Sequence, residues 1–295
     1  MNKTLKILQP MKYWWLYFLI SLAVIIPGSY SLFVYGLKPS IDFTGGTTIV
    51  WDTSVKETEL RSIAKETDIQ IRALSFSNGL WTITTNPLGK DLYQTYKTKT
   101  AELGTVTEQQ FDTVGPALGG ELIKKTLYAI ILAASLILFY VAYRFKNIKF
   151  GVSAILAMLH DSLVLLGVFS LLGHYLGVEV DTLFVTALLT ILSFSVHDTI
   201  VVYDRIRELK KKYGYLEFED IVNRAVVETM GRSLNNSLTI IFMLLAMYLL
   251  GGETTKWFIF ALLVGTVSGT YSSTFTAAPL LIVWDKLATR RLGKQ

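Results

Sequence analysis

Apolar residues fall into six long blocks, near residues 11–35, 126–143, 151–173, 182–203, 233–250 and 257–284. A helix crossing the hydrocarbon core of a bilayer needs about 20 such residues, so each block predicts a membrane span. Between the first two blocks the pattern changes. Residues 44–52 alternate like a strand, and 55–67 repeat Leu60, Ile63 and Ala64 at helical spacing. Residues 69–76 and 80–85 read as two strands joined by Ser77-Asn78-Gly79, a hairpin signal. Residues 91–103 predict a second helix and 105–114 a last strand. The order β-α-β-β-α-β is the ferredoxin-like pattern. Residues 204–231 are charged first and amphipathic later, with Leu216, Phe218, Ile221, Val222, Ala225 and Val226 at helical spacing. They predict a helix lying along the membrane surface and leading into the fifth span.

The fold class is therefore a multi-pass α-helical membrane protein, with a soluble α+β domain inserted between spans one and two. Residues 1–36 hold the first span, 37–125 the soluble domain, and 126–203 spans two to four. Residues 204–232 form the charged loop with its amphipathic helix, and 233–295 spans five and six with a basic tail.

Composition agrees: 52% of residues are hydrophobic and 17% are charged, against roughly 25% charged in soluble domains. The net charge of +5 would suit nucleic acid, but the basic residues are distributed otherwise. Lys3, Lys6 and Lys12 precede the first span, and Arg144, Lys146 and Lys149 fill the turn after the second. Arg205, Arg207, Lys210, Lys211, Lys212 and Arg224 follow the fourth; Lys286, Arg290, Arg291 and Lys294 follow the sixth. The loop 173–181 has no Lys or Arg, and 251–256 has only Lys256. This positive-inside pattern places both termini in the cytoplasm and the soluble domain outside. The first apolar run continues past Pro27 with no small-residue cleavage site, so it reads as a retained anchor rather than a signal peptide.

Charges inside the spans are the candidate chemistry, because ionisable residues in hydrocarbon are costly and mark ion or proton paths. In span four, Ser195, Asp198 and Thr199 share one helical face, and His197 points away from it. In span five, Arg232, Asn235, Asn236 and Thr239 form one stripe. The two spans run antiparallel, so the faces can meet at one depth. An Asp198–Arg232 pair there would be a proton-driven switch, since protonating Asp198 releases the arginine. The same residues would also serve as a clamp that only holds the bundle together. His160 and Asp161 in span three either extend the proton relay towards Asp198 or anchor packing. His197 either titrates near neutral pH or bonds across helices. His174 falls in an outer loop and reads as solvated. Gly265 and Gly269, with Ser268, Tyr271, Ser272, Ser273, Thr274 and Thr276, read as close helix packing rather than a transport groove.

Three scattered histidines and no cysteine leave no metal pattern, and no phosphate-binding glycine loop or other cofactor motif is present. Two span aspartates raise an intramembrane aspartyl protease. Asp161 lacks the glycine-flanked context of such enzymes, so catalysis is the least supported class. The soluble domain carries no catalytic constellation and reads as a binding or mechanical module.

Several motifs are familiar. Ile41-Asp42-Phe43-Thr44-Gly45-Gly46-Thr47 follows span one, and Val114-Gly115-Pro116 and Glu121-Leu122 precede span two. His160-Asp161 lies in span three, and the run from Ser195 through Asp198 to Arg205 and Glu208 in span four. Gly231-Arg232-Ser233-Leu234-Asn235-Asn236 leads span five; Gly251-Gly252, Tyr271-Ser272-Ser273 and Ala278-Pro279 follow. In this order, over nearly the whole chain, they resemble the SecF family, subunits of the SecD–SecF accessory complex of bacterial protein export. The resemblance implies a six-helix RND-like bundle in the cytoplasmic (inner) membrane, amid its lipids, paired with SecD beside the Sec translocon channel. It implies use of the proton-motive force to move unfolded secretory polypeptides, with Asp198 carrying the proton and Arg232 as its partner. A proton-coupled RND-like exporter of small molecules or lipids is the alternative on the same scaffold. His197 stands where the family often has Asn, and Lys38-Pro39-Ser40 where Gly often precedes the Ile-Asp. Because the sequence opens on Met1 and closes soon after span six, SecD is expected as a separate chain.

Overall fold

The computed structural model of the chain describes residues 9–77, 79–145 and 147–292, with side chains to 287. Lys3, Lys6, Asn78, Lys146 and Lys294, and the side chains of Arg290 and Arg291, lie outside the described set. In chain order the helices are α1 (Trp14–Val34), α2 (Ile41–Thr44), α3 (Glu57–Glu66), α4 (Lys90–Ala101) and α5 (Pro116–Arg144), then α6 (Ile148–Leu176), α7 (Thr182–Lys212), α8 (Phe218–Leu250), α9 (Glu253–Ser272) and α10 (Ala278–Leu292). The strands are β1 (Gly46–Thr53), β2 (Ile71–Ser77), β3 (Leu80–Thr85) and β4 (Val106–Val114). Six helical stretches are long and apolar enough to cross a membrane. The chain forms two compact units, one of Pro39–Ala129 and one of the residues on either side.

In the smaller unit the strands pair antiparallel in the order β2-β3-β1-β4. That is the ferredoxin-like arrangement the alternation predicts. Alternate β1 residues Ile49 and Trp51 turn inward and are sealed by Leu60 and Ile63 of α3 and Tyr93 and Tyr96 of α4. Trp51 stacks on Tyr96 with ring centroids 5.1 Å apart. The strand expected from residue 44 begins instead at Gly46. Ser40 Oγ accepts from the Asp42 N–H at 3.2 Å and starts the one-turn helix α2, which holds Asp42, Phe43 and Thr44. Gly45 (φ 69°) ends that turn. A Cβ on Gly45 would lie 2.8 Å from Pro116 Cα, and one on Gly46 2.7 Å from the Thr85 carbonyl oxygen. Both positions therefore require glycine, for φ and for space. The Arg72 guanidinium donates to the Gly45 carbonyl at 2.7 Å and fixes the turn to β2.

In the larger unit α1 lies directly on α6. A Cβ on Gly28 would come 2.9 Å from Gly167 Cα, the backbone approach that small residues permit in lipid. Likewise Gly265 of α9 lies under Ile191 of α7. The expected surface helix before span five is absent as a separate element. Residues 218–250 form the single helix α8, whose first turns bury Ile221, Val222, Ala225 and Val226 against Tyr203, Ile206 and Leu209 of α7. Their apolar stripe faces the end of the bundle rather than a membrane surface. The Met11 N–H donates to Asn223 Oδ1 at 2.9 Å and ties the chain's entry to the same place. The sixth span is broken by a π-helical turn, Ser273–Ala277, between α9 and α10. Pro279, near the start of α10, has no N–H to return to the carbonyl four residues earlier, a recognised cause of such irregularity.

Candidate functional site

Two apolar clusters fill the larger unit. One gathers Phe150, Ala154 and Met158 of α6 with Tyr203 and Ile206; the other gathers Leu165 and Phe169 with Phe184, Ile191 and Ala261. Between them on α6 sit His160 and Asp161. Asp161 is 0% exposed. Its Oδ1 accepts from Ser268 Oγ at 2.6 Å, and its Oδ2 from Ser272 Oγ at 2.6 Å. His160 Nδ1 lies 3.0 Å from Oδ1, and His160 Nε2 lies 3.0 Å from Ser21 Oγ of α1. Three helices, α6, α9 and, through His160, α1, thus meet at one carboxyl. Helix α9 supplies two hydroxyls because residues 268 and 272 are four apart and lie on one face. These serines were expected only to permit close packing; they are donors to a buried acid. Their spacing was visible in the sequence, but their target on another helix was not.

Asp198 occupies a different position. It is half-buried on α7, seven residues before Arg205, and so roughly 10 Å along the helix from the charged end. Its Oδ2 accepts from Ser233 Oγ of α8 at 3.1 Å. The expected ion pair with Arg232 is not formed: Arg232 is exposed and makes no salt bridge among the described residues. The reason is helical phase. The inward stripe of α8 runs through Thr229, Ser233 and Ser237, and Ser237 Oγ accepts from Thr270 Oγ1 of α9 at 2.6 Å. Arg232, Asn235, Asn236 and Thr239 lie on the outer face, and Thr239 returns its hydroxyl to the Asn235 carbonyl of its own helix. His197 is likewise exposed.

Ser195 and Thr199, one turn apart on α7, are almost completely buried, and neither hydroxyl has a protein partner. Thr276 of the π-helical turn is also buried with its hydroxyl unpaired, and the Tyr203 hydroxyl donates to the adjacent Ala277 carbonyl at 2.9 Å. Buried polar groups ordinarily find a protein or water partner, so unpaired ones mark polar space inside the bundle. Unpaired hydroxyls and two acids can accept and pass protons. Among the described residues no group of three His, Asp or Glu is arranged to hold a metal ion.

At the basic end of the bundle, ion pairs tie the helices together. Arg144 of α5 and Arg207 both reach Asp204 of α7, Arg205 reaches Glu228 of α8, and Lys149 of α6 reaches Asp285 of α10 at 3.0 Å. In the smaller unit a cavity of about 250 Å³ is lined by Arg61, Lys65, Asp68 and Gln70, small and polar for an apolar ligand.

The sequence profile described as protein export membrane protein SecD/SecF, C-terminal, matches residues 95–287, and the SecD/SecF GG motif matches residues 30–50. The chain is 43% identical to the protein translocase subunit SecF of Thermobaculum terrenum, over 91% of each chain. It is 38% identical to the SecF of Anaerolinea thermophila, over 92% of each. Among solved structures it is similar to SecDF, a translocon-associated membrane protein from Thermus thermophilus, with a TM-score of 0.85 and 32% identity. That match covers 97% of this chain and 40% of SecDF.

Proposed function

This chain belongs to the SecD/SecF family of protein export membrane proteins, and from that premise we propose that it couples proton entry to polypeptide export. It is a multi-pass RND-like membrane protein of the export machinery. The relatives are translocase subunits, which favours a mechanical rather than an enzymatic role. The fused SecDF of Thermus thermophilus, 36% identical over 86% of this chain, supports SecD as its partner. We assign the basic, ion-paired end of the bundle to the cytoplasm, which puts the ferredoxin-like domain on the far side, near emerging chains. The outer stripe of Arg232, Asn235 and Asn236 is too polar for lipid and suits cover by a SecD helix.

The observation that carries the reading is Asp198, an acid within a span that accepts from the Ser233 hydroxyl of α8, the residue after the outward-facing Arg232. When protonated it is satisfied by Ser233. When ionised it attracts Arg232, the residue before Ser233 on α8, and α8 must turn or shift to present it. Each proton crossing about 100 mV releases about 2.3 kcal/mol, enough for several protons to bias a chain against backsliding. The test is export completion with and without a proton gradient, for Asp198→Asn and Arg232→Ala. Both variants are expected to accumulate normally and lose only the gradient-dependent part. Wild-type export from Asp198→Asn would reduce the site to a clamp.

A further inference from the structure

The proton reading of Asp198 leaves the better-built acid of the bundle unused. Asp161 is sealed between two apolar clusters, and an uncompensated carboxylate there would cost several kcal/mol. Its hydrogen-bond partners are two neutral serine hydroxyls and one imidazole. Among the described residues, His160 is the one basic side chain within ion-pair distance of it. The groups facing the pair from the packed helices are otherwise Ser21 of α1, Ser195 of α7, and Tyr271 of α9, whose ring lies 6.2 Å from that of His160; Asp198 faces α8 instead. The His160–Asp161 pair has two forms without net charge, carboxylic acid with imidazole or carboxylate with imidazolium, that differ only in which partner carries the proton. A shared proton on a buried pair is a storage site.

Two features flank the pair. His160 lines a groove of about 400 Å³ between α1, α6 and α9, walled by Ile20, Val24, Val164 and Val267. On the opposite side lies Gly269. A Cβ placed there would be 3.8 Å from Asp161 Oδ2, 3.6 Å from Ser195 Cα and 3.8 Å from Ser195 Cβ. The missing side chain leaves a methyl-sized space between Asp161 Oδ2 and Ser195 of α7. Ser195 beyond it has a buried hydroxyl with no partner, and so does Thr199 one turn further, next to Asp198. Such hydroxyls are where ordered water belongs in a polar interior.

We propose that Asp161, with His160, is a second proton-holding site connected to Asp198 through the opening at Gly269 and the hydroxyls of Ser195 and Thr199. The inference rests on the proton reading of Asp198 and extends it. In the transfer, Asp161 as the acid gives up its proton and becomes a carboxylate; His160 then takes up one proton from the medium and restores the pair's one-proton form. Each hydroxyl or water between accepts one proton and releases one, and the Asp198 carboxylate ends as the acid. Ser268 and Ser272 hold the Asp161 carboxylate in place throughout.

Gly269 gives the decisive variant, because a methyl there meets its neighbours at ordinary contact distance. It fills the opening without displacing a helix. The full chain in complex with SecD would be reconstituted in vesicles as wild type, Gly269→Ala, Asp161→Asn and Asp198→Asn. Infrared difference spectra of carboxyl protonation and gradient-driven export would be read together. The expected result is one carboxyl band lost in each Asp variant. Gly269→Ala keeps both bands while its export falls to the level seen without a gradient. If Asp161→Asn removes no band, or Gly269→Ala exports like wild type, the second site is overturned and Asp161 is a packing group. If Gly269→Ala does not accumulate, the Asp161→Asn spectrum decides alone. Loss of the Asp198 reading shows separately, as full gradient-driven export from Asp198→Asn with the Asp161 band intact.

Discussion

Donors hold an acid in place, and each of the two units shows it at single residues. Asp161 is held by Ser268, Ser272 and His160. In the ferredoxin-like domain Glu108 accepts from Lys97 Nζ and from the Tyr93 hydroxyl, each at 2.5 Å. The Lys97 hydrogen bond, and then that from Tyr93, hold the Glu108 carboxyl below its usual value, while burial raises the Tyr93 hydroxyl. A lowered folded value contributes stability above the unfolded carboxylate range, about 4.3, and that contribution is lost as pH falls through the folded value. Glu108→Gln is thus expected to lower the domain's stability at pH 7 by roughly 0.2–1 kcal/mol. The gap from wild type should close in acid. Chemical unfolding of the full-length protein, followed by Trp51 and Trp81 fluorescence across pH, checks this; a gap that persists at low pH would contradict it. The sequence displayed the intramembrane acids plainly. It could not display their donors, which come from helices far along the chain.

Elements divide by whether the pattern that defines them is local. The alternation of β1 and the 3.6-residue repeats of α3 placed the small domain within a few residues, because burial on one face governs each. The amphipathic run of residues 218–230 was equally visible, but two environments present the same stripe: a membrane surface and the end of a helix bundle. Continuity with span five decided for the bundle. The outward turn of Arg232 follows from the same helix, since Thr229, Ser233 and Ser237 claim its inner face. Contact between α1 and α6 depends on Gly28 and Gly167, which leave no room for a side chain. Gly167→Leu should force these helices apart and lower the thermal stability of the solubilised protein by about 1–3 kcal/mol. Gly151→Leu on the same helix, where nothing lies within 4 Å of the added Cβ, should cost much less. Equal losses would show that the α1–α6 approach is not the cause.

At the scale of the whole molecule, hydropathy was enough to define six spans and an inserted domain, and the one-sided distribution of Lys and Arg predicts an orientation. The structure adds what they cannot carry: a polar layer of Asp161, Ser195, Thr199, Ser268 and Ser272 between two apolar clusters. Family membership then turns an acid within a span into a proposed step of polypeptide export. The measurement that reaches this claim most directly is the internal pH of vesicles holding the chain with SecD and the translocation channel, recorded while a secretory polypeptide is moving. Wild type is expected to pass protons down the gradient in step with the polypeptide, and Asp198→Asn to pass none while the gradient-dependent part of the movement is lost. Equal proton flux in the two proteins would contradict the account.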